Sequence, residues 1–118
     1  MGGDQGKWIS TLTQNQKNIY YEKVRDGYQI SWANMRGFGL KNIQITRILD
    51  SYFAAAGHWY PLGASEDDPI PGGFGVFLKD TFKGFTPRHA SAVAAVLVDL
   101  GYLEFQGKKP VYLRKVSR

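Results

Sequence analysis

The chain has 118 residues, of which 43% are hydrophobic and 14% aromatic, a composition that predicts a folded domain with a packed core. It has no cysteine, which excludes structural disulfides and thiolate metal sites, and its longest apolar run, residues 90–100, is too short to span a membrane. We therefore expect a cytoplasmic protein that has no membrane attachment and needs no metal or other cofactor.

The net charge of +5 is unevenly distributed along the chain. Residues 1–78 contain seven basic and seven acidic side chains, whereas residues 79–118 contain eight basic and three acidic ones, so the whole excess lies in the C-terminal third. Such asymmetry is typical of a surface that faces a polyanion, although an ordinary solvated surface would also explain it.

Residues 1–39 are predicted to form an N-terminal extension. Thr13 is a favourable N-cap, and apolar residues follow it at helical spacing, which predicts a helix over about residues 13–25. Apolar and polar residues then alternate loosely, a pattern that is compatible with a short strand over residues 28–34.

Two helices and a long loop are predicted next. The first helix begins near residue 41, carries a stripe of apolar residues and ends at Gly57, which supplies a C-cap. Residues 58–73 are rich in glycine and proline, which predicts a loop. Residues 74–82 fit a helix or a strand, and we favour the helix because the polar residues fall where a helix needs an outer face.

The strongest pattern lies in the last 33 residues. Thr86 is a good N-cap, Pro87 suits the first helical position, and an apolar stripe continues to Gly101, which supplies a left-handed C-cap. Residues 102–105 and 111–115 then alternate apolar and polar side chains on either side of a basic turn. The pattern predicts a third helix followed by a two-stranded hairpin.

The order of helix, loop, helix, tight turn, helix and hairpin over about residues 40–116 resembles the winged helix-turn-helix superfamily. The most specific stretch is residues 93–104, where the third helix runs into a Leu-Gly-Tyr-Leu junction. The resemblance implies an α+β fold in which residues 40–118 form a three-helix core with a C-terminal β-hairpin. Residues 1–39 would add a helical extension at its N-terminus.

Proteins of this superfamily place the third helix in the major groove and the hairpin against the flanking backbone. The resemblance therefore implies a non-catalytic nucleic-acid-binding protein that regulates transcription, with double-stranded DNA favoured over RNA. Arg88 would read base edges, because a guanidinium can pair with guanine. The other expected contacts to base or phosphate are Lys83, His89, Ser91, Lys108, Lys109, Arg114 and Lys115.

The third helix also supports an alternative function, because its predicted outward positions after Arg88 are mostly alanine. Such a face suits close packing better than base reading, so the alternative is a protein–protein interaction module. Its expected contact residues are Ala92, Ala95, Val98, Trp59 and Tyr60. A homodimer is a further hypothesis, since DNA-binding proteins of this kind often recognise paired half-sites. No residues have the spacing of a catalytic or metal-binding motif, so we expect no enzyme activity.

Overall fold

The structure, a computed structural model, describes residues 6–33, 35–65 and 67–116. Within these residues the chain forms an α+β fold with two antiparallel sheets and three short helices. The strands are β1 (Lys7–Ile9), β2 (Ile19–Val24), β3 (Gly27–Trp32), β4 (Met35–Lys41), β5 (Tyr60–Pro61), β6 (Leu103–Gln106) and β7 (Tyr112–Lys115). The helices are α1 (Asn42–Arg47), which continues as a π-helical turn over Ile48–Tyr52, α2 (Phe74–Thr81) and α3 (His89–Asp99). None of these helices is long and apolar enough to cross a membrane.

The first four strands form a meander in the order β1-β2-β3-β4. Inward and outward side chains alternate along β2 and β3, so that one face of the sheet packs on the core and the other faces solvent. The buried side chains of the inner face include Ile9, Ile19, Tyr21, Ile30, Trp32 and Leu40. This sheet is the largest structural unit of the N-terminal half, and it covers one side of α3 through β1.

The helix predicted over residues 13–25 is wrong, because most of its second half forms β2. The side chains of Ile19 and Tyr21 are buried on one face of the sheet, whereas Tyr20 between them lies on the other face against Trp8. This is a period of two, and β-branched and aromatic residues favour a strand. Pairing on both sides, with β1 and β3, outweighs the N-cap signal that suggested a helix.

The second sheet has the order β5-β7-β6, with β7 in the centre. The hairpin predicted at the C-terminal end is therefore present, and the two-residue strand β5 adds a third strand to it. The predictions of a short strand after residue 27, of a helix from residue 74 and of a third helix are confirmed as β3, α2 and α3. Gly101 has a φ of 89°, as expected of a left-handed C-cap.

The predicted winged helix-turn-helix fold, with a three-helix core, a C-terminal hairpin and an N-terminal helical extension, is wrong. The described residues form two antiparallel sheets of four and three strands, and the N-terminal sheet stands where the helical extension was expected. The first of the three helices is also shorter than predicted, since its helical geometry ends at Tyr52. β4 runs through the predicted domain boundary between residues 39 and 40.

The helix α3 lies in the centre of the core. It contacts α2, β6 and β1, and residues 92–97 are buried without interruption. A helix that is apolar on all sides has to be covered on all sides, and alanine allows the covering elements to approach closely. One apolar cluster therefore joins residues of both sheets and of the helices.

Candidate functional site

A polar cavity of about 350 Å³ lies between the β1–β2 loop, the turn after β3, the first turns of α3 and the end of the β6–β7 loop. We call it the Arg88 pocket. The lining residues that bear on its chemistry are Thr11, Asn18, Trp32, Arg88, Ser91 and Val111. Its volume is at the lower end of the range that is usual for small-molecule sites.

Arg88 immediately precedes α3 and is exposed at this pocket. Its guanidinium carbon lies 4.9 Å from the centroid of the Trp32 ring, which is itself 8% exposed. Such cation–π contacts orient a cation without neutralising it. No ion pair to Arg88 is found in the described part of the chain, so its guanidinium N–H donors are held in place and remain accessible.

Two buried oxygens at the Arg88 pocket lack a hydrogen-bond partner. They are Oγ1 of Thr11 and Oδ1 of Asn18, and both residues line the pocket. A buried polar atom without a partner costs about 1–3 kcal/mol, so such atoms are uncommon in folded proteins. The sequence did not identify this pair, because residue 18 was expected within a helix and not in a loop that faces Arg88.

His89 and Ser91, which were predicted to support base contacts, occupy different environments. The Nδ1 atom of His89 accepts a hydrogen bond from the backbone N–H of Thr86 (3.0 Å), and its ring packs against Phe38 and Phe85. This half-buried ring links the start of α3 to β4, and it does not line the pocket. Ser91 does line the pocket, one helical turn after Arg88.

Lys108 and Lys109 are exposed at the tip of the β6–β7 hairpin. Neither forms an ion pair within the described residues. Val111, two residues after Lys109, lines the Arg88 pocket and accepts a backbone hydrogen bond from Leu62 (2.9 Å). The end of the β6–β7 loop is therefore fixed at the pocket through Val111, whereas Lys108 and Lys109 are not among the residues that line it.

The three other cations that were predicted to contact nucleic acid have different surroundings. Arg114 forms an ion pair with Glu104 at 2.5 Å, and its guanidinium carbon lies 4.3 Å from the Trp59 ring centroid. The Nζ atom of Lys115 donates to the backbone oxygen of Leu49 at 3.4 Å. Lys83 is exposed in the turn between α2 and α3, away from the pocket lining. Arg114 and Lys115 thus have partners within the protein.

The residues expected to dock a protein partner are mostly covered. Ala92 and Ala95 are 0% and 3% exposed, so the prediction that they face outward is wrong. Trp59 lies beneath Arg114, and the ring of Tyr60 packs against Tyr52 and Phe53. The sheets cover the face of α3 that was predicted to be exposed, because a helix this apolar is stable only when it is enclosed.

An apolar groove of about 360 Å³ lies on the other side of the β1–β2 loop and shares Thr11 and Leu12 with the Arg88 pocket. Its rim carries Trp8, which is 57% exposed, and Phe105, which is 40% exposed. Val98, one of the predicted protein contacts, is half-buried along this groove. We call it the Trp8 groove.

Three polar side chains beside the Trp8 groove are bonded to one another. The hydroxyl of Tyr21 donates to Oδ2 of Asp99 at 2.5 Å, and the Nζ atom of Lys7 lies 3.0 Å from the same oxygen. Burial, with a further contribution from the Asp99 carboxylate, raises the pKa of Tyr21 well above its usual value. The phenol is therefore a neutral donor with a fixed partner.

Comparisons of the chain with family models, with curated proteins and with solved structures found no match. The grounds for assigning a function are therefore the residues and contacts described above.

Proposed function

We propose that this protein binds nucleic acid and catalyses no reaction, through a basic surface made of Arg88, Lys108 and Lys109. The observation that carries the proposal is that all three cations are exposed. Arg88 lines one polar pocket, and Lys108 and Lys109 belong to the β6–β7 loop whose last residue, Val111, lines the same pocket. None of them has an acidic partner among the residues that the structure describes. Unpaired cations that cluster on one face are the electrostatic footprint of a protein that binds phosphates.

Phosphate neutralisation is the physical source of the affinity that we propose. Each cation that pairs with a phosphate releases condensed counterions, so the affinity falls as the salt concentration rises. The arrangement does not require α3 to enter a groove of the nucleic acid. Because residues 92–97 are buried, base reading along that helix is no part of the proposal, and Arg88 is assigned to phosphate at the start of the helix.

A salt series of fluorescence anisotropy titrations tests this proposal. Three phosphate contacts predict a slope of log affinity against log salt of about −2.7 for duplex DNA and about −2.1 for a single strand. The double variant Lys108→Glu with Lys109→Glu should weaken binding more than about tenfold, because two contacts become repulsive, and it should flatten the slope to about −1.

The matched control is Lys23→Glu with Arg25→Glu, which changes the net charge equally. Both residues are exposed, Lys23 near the end of β2 and Arg25 in the turn that follows it, and Trp32 of the Arg88 pocket lies at the opposite end of β3. We expect this control to weaken binding only about two- to threefold, through the reduced net charge. Equal losses in the two double variants, or binding that is insensitive to salt, would contradict the proposed surface.

A second candidate function, self-association, is favoured by a separate observation. Trp8 is 57% exposed and lines the Trp8 groove together with Val98 and Phe105, so each molecule carries exposed apolar surface at this groove. Such a surface is self-complementary when two copies are related by a twofold axis. Sedimentation velocity at high micromolar concentration should then show a dimer that Trp8→Ser converts to a monomer. A monomer at every concentration would remove this candidate.

A further inference from the structure

We propose that one end of the molecule binds the surface of an anionic phospholipid bilayer, at a site separate from the proposed nucleic-acid surface. The evidence is that exposed apolar side chains and exposed cations occur together where the turn between β2 and β3 meets the start of α1. We call this region the Ile43 surface. Its apolar residues and cations are Lys23, Val24, Arg25, Lys41, Ile43 and Arg47.

Two segments of the chain are joined at the Ile43 surface. The backbone N–H of Asn42 donates to the backbone oxygen of Asp26 (2.7 Å), which links the first residue of α1 to the turn between β2 and β3. Gly27 allows this close approach, because a side chain at that position would collide with the backbone of Leu40 and Lys41. The turn and the helix start therefore form one continuous surface.

Ile43 and Val24 supply the apolar part of this surface. Ile43 is 75% exposed, the largest value among the large hydrophobic side chains of the described residues, and Val24 is 42% exposed. Ile45 of the same helix is buried, whereas Ile43 contributes little to the core. Arg25 and Lys41 line a cleft with Val24 and a second cleft with Ile43, so the two apolar side chains flank the same cations.

The charge of the Ile43 surface is positive. Its four cations are exposed, and none forms an ion pair within the part of the chain that the structure describes. Two acids lie on the same turn and strand end, the half-buried Glu22 and the exposed Asp26. Four cations against two acids leave a net charge of +2. The balanced charge of residues 1–78 hides this local excess.

Charge and apolar exposure together identify the partner as a bilayer with acidic head groups. Such a bilayer attracts cations through its negative surface potential, and it takes up aliphatic side chains at the boundary between head groups and acyl chains. The aliphatic stems of lysine and arginine can lie along this boundary while their charges stay in water. Nucleic acid would satisfy the cations but leave Ile43 in water. A bilayer also needs no pocket that matches the shape of the turn.

The Ile43 surface does not depend on the proposed nucleic-acid surface. Gly27 and Trp32 lie at opposite ends of β3, so about 17 Å of strand separates this surface from the Arg88 pocket. The expectation of no membrane attachment rested on the lack of a spanning segment, and binding at the surface of a bilayer needs none.

The first experiment measures co-sedimentation of the protein with phosphatidylcholine vesicles that contain either no phosphatidylserine or about 30% of it. We expect at least tenfold stronger binding, as an order of magnitude, to the anionic vesicles. Lys23→Glu with Arg25→Glu should weaken this binding more than about 30-fold, whereas Lys108→Glu with Lys109→Glu should weaken it about threefold through net charge alone. Equal losses in the two double variants, or no binding to anionic vesicles, would overturn the proposal.

A second variant separates the apolar contribution from charge. Ile43→Ser leaves the net charge unchanged and should bind anionic vesicles about tenfold more weakly, because less apolar surface leaves the water. The matched control is Phe105→Ser, which removes an exposed apolar side chain from β6 and should bind like the parent. Thermal melts confirm that both variants are folded. Binding of Ile43→Ser at the parent's affinity would overturn the proposal.

The contact itself can be located with a fluorescent label. Because the chain has no cysteine, Ile43→Cys and Phe105→Cys each accept a single environment-sensitive fluorophore. Anionic vesicles should shift the emission of the label at position 43 to shorter wavelength and leave the label at position 105 unchanged. Equal shifts at both positions would contradict the assignment. If duplex DNA shifts the emission at position 43 and vesicles do not, the surface binds nucleic acid and the lipid inference is wrong.

Discussion

Arg88 and Arg114 both lie over a tryptophan ring, yet their surroundings differ in a way that separates two regions of the molecule. Arg114 stands on the outer face of the second sheet, where Glu104 neutralises it and Trp59 packs beneath it. Arg88 stands at the start of α3, where Trp32 positions it and no acid is paired with it among the residues described. Two buried oxygens near it are also without partners.

The comparison shows that the number of basic residues in a segment is a poor guide to where an anion will bind. Arg114 and Lys115 contribute to the positive charge of the C-terminal third, but their donors are already used within the protein. Arg88, Lys108 and Lys109 have no such partner in the described residues, so they remain available to a ligand, as does the exposed Lys83. Paired groups point to stability, and unpaired groups point to binding.

The largest effect that tests this comparison is expected from reversing the charge of each arginine in turn. Arg88→Glu should weaken nucleic-acid binding about 30-fold, because it removes a positioned cation and adds repulsion. Arg114→Glu makes the same change in net charge and should weaken binding no more than about threefold. Titration by anisotropy measures both, with a thermal melt to confirm folding. If Arg114→Glu weakens nucleic-acid binding as much as Arg88→Glu does, the distinction between a paired and an available arginine is wrong.

A smaller effect is expected from removing one hydroxyl in each environment. Tyr21→Phe removes the donor to Asp99 and should lower the free energy of unfolding by about 1.5 kcal/mol, since hydrogen bonds to charged groups are among the stronger ones. Thr11→Val removes an oxygen that has no partner, so the free energy of unfolding should stay the same or rise by up to about 1 kcal/mol. Urea denaturation checks both, and a loss of stability in Thr11→Val would show that its hydroxyl is already bonded.

The smallest effect concerns the backbone at the Arg88 pocket. Ala33, which directly follows β3, adopts a φ of 46°, a conformation that favours glycine. Ala33→Gly should therefore raise the free energy of unfolding by about 0.5 kcal/mol, the relief of strain being partly offset by chain entropy. The reverse control is Gly57→Ala, because Gly57 has a φ of 83° and open space surrounds the added methyl group. This variant should lower the free energy of unfolding by about 1 kcal/mol. Urea denaturation of both variants measures these changes, and a change of the opposite sign in either variant would contradict the prediction.

Local signals in the C-terminal half were sufficient to predict α2, α3, β6 and β7, but not the two-residue strand β5, which lies in the predicted loop. Gly101 ends α3 through its positive φ, and apolar alternation marks β6 and β7. The prediction for the N-terminal half was wrong because the spacing of Ile19, Tyr20 and Val24 is compatible with a helix as well as with a strand. The pairing of β2 with both β1 and β3 decides between them, and such pairing joins residues that are far apart in the chain.

The candidate site was predictable only in part, for a related reason. The resemblance implied Arg88, Lys108 and Lys109 as contact residues, and they are exposed, as lysine and arginine side chains usually are. Nothing local could show that Arg114 would meet Glu104 across two strands, or that Thr11 and Asn18 would be buried without partners. Whether a buried polar atom has a hydrogen-bond partner depends on all the residues that the fold places around it.

The sequence by itself determined the helices α2 and α3, the C-terminal hairpin and the basic character of the last third of the chain. These depend on caps, on glycine at positive φ and on side-chain composition, all of which act within a few residues. The tertiary structure alone decided that the N-terminal segment is a sheet, that α3 is enclosed and that Arg88 lines a polar pocket without an acidic partner in the described part of the chain. Strand pairing, burial and hydrogen-bond satisfaction are properties of contacts between distant residues, so they exist only once the chain has folded.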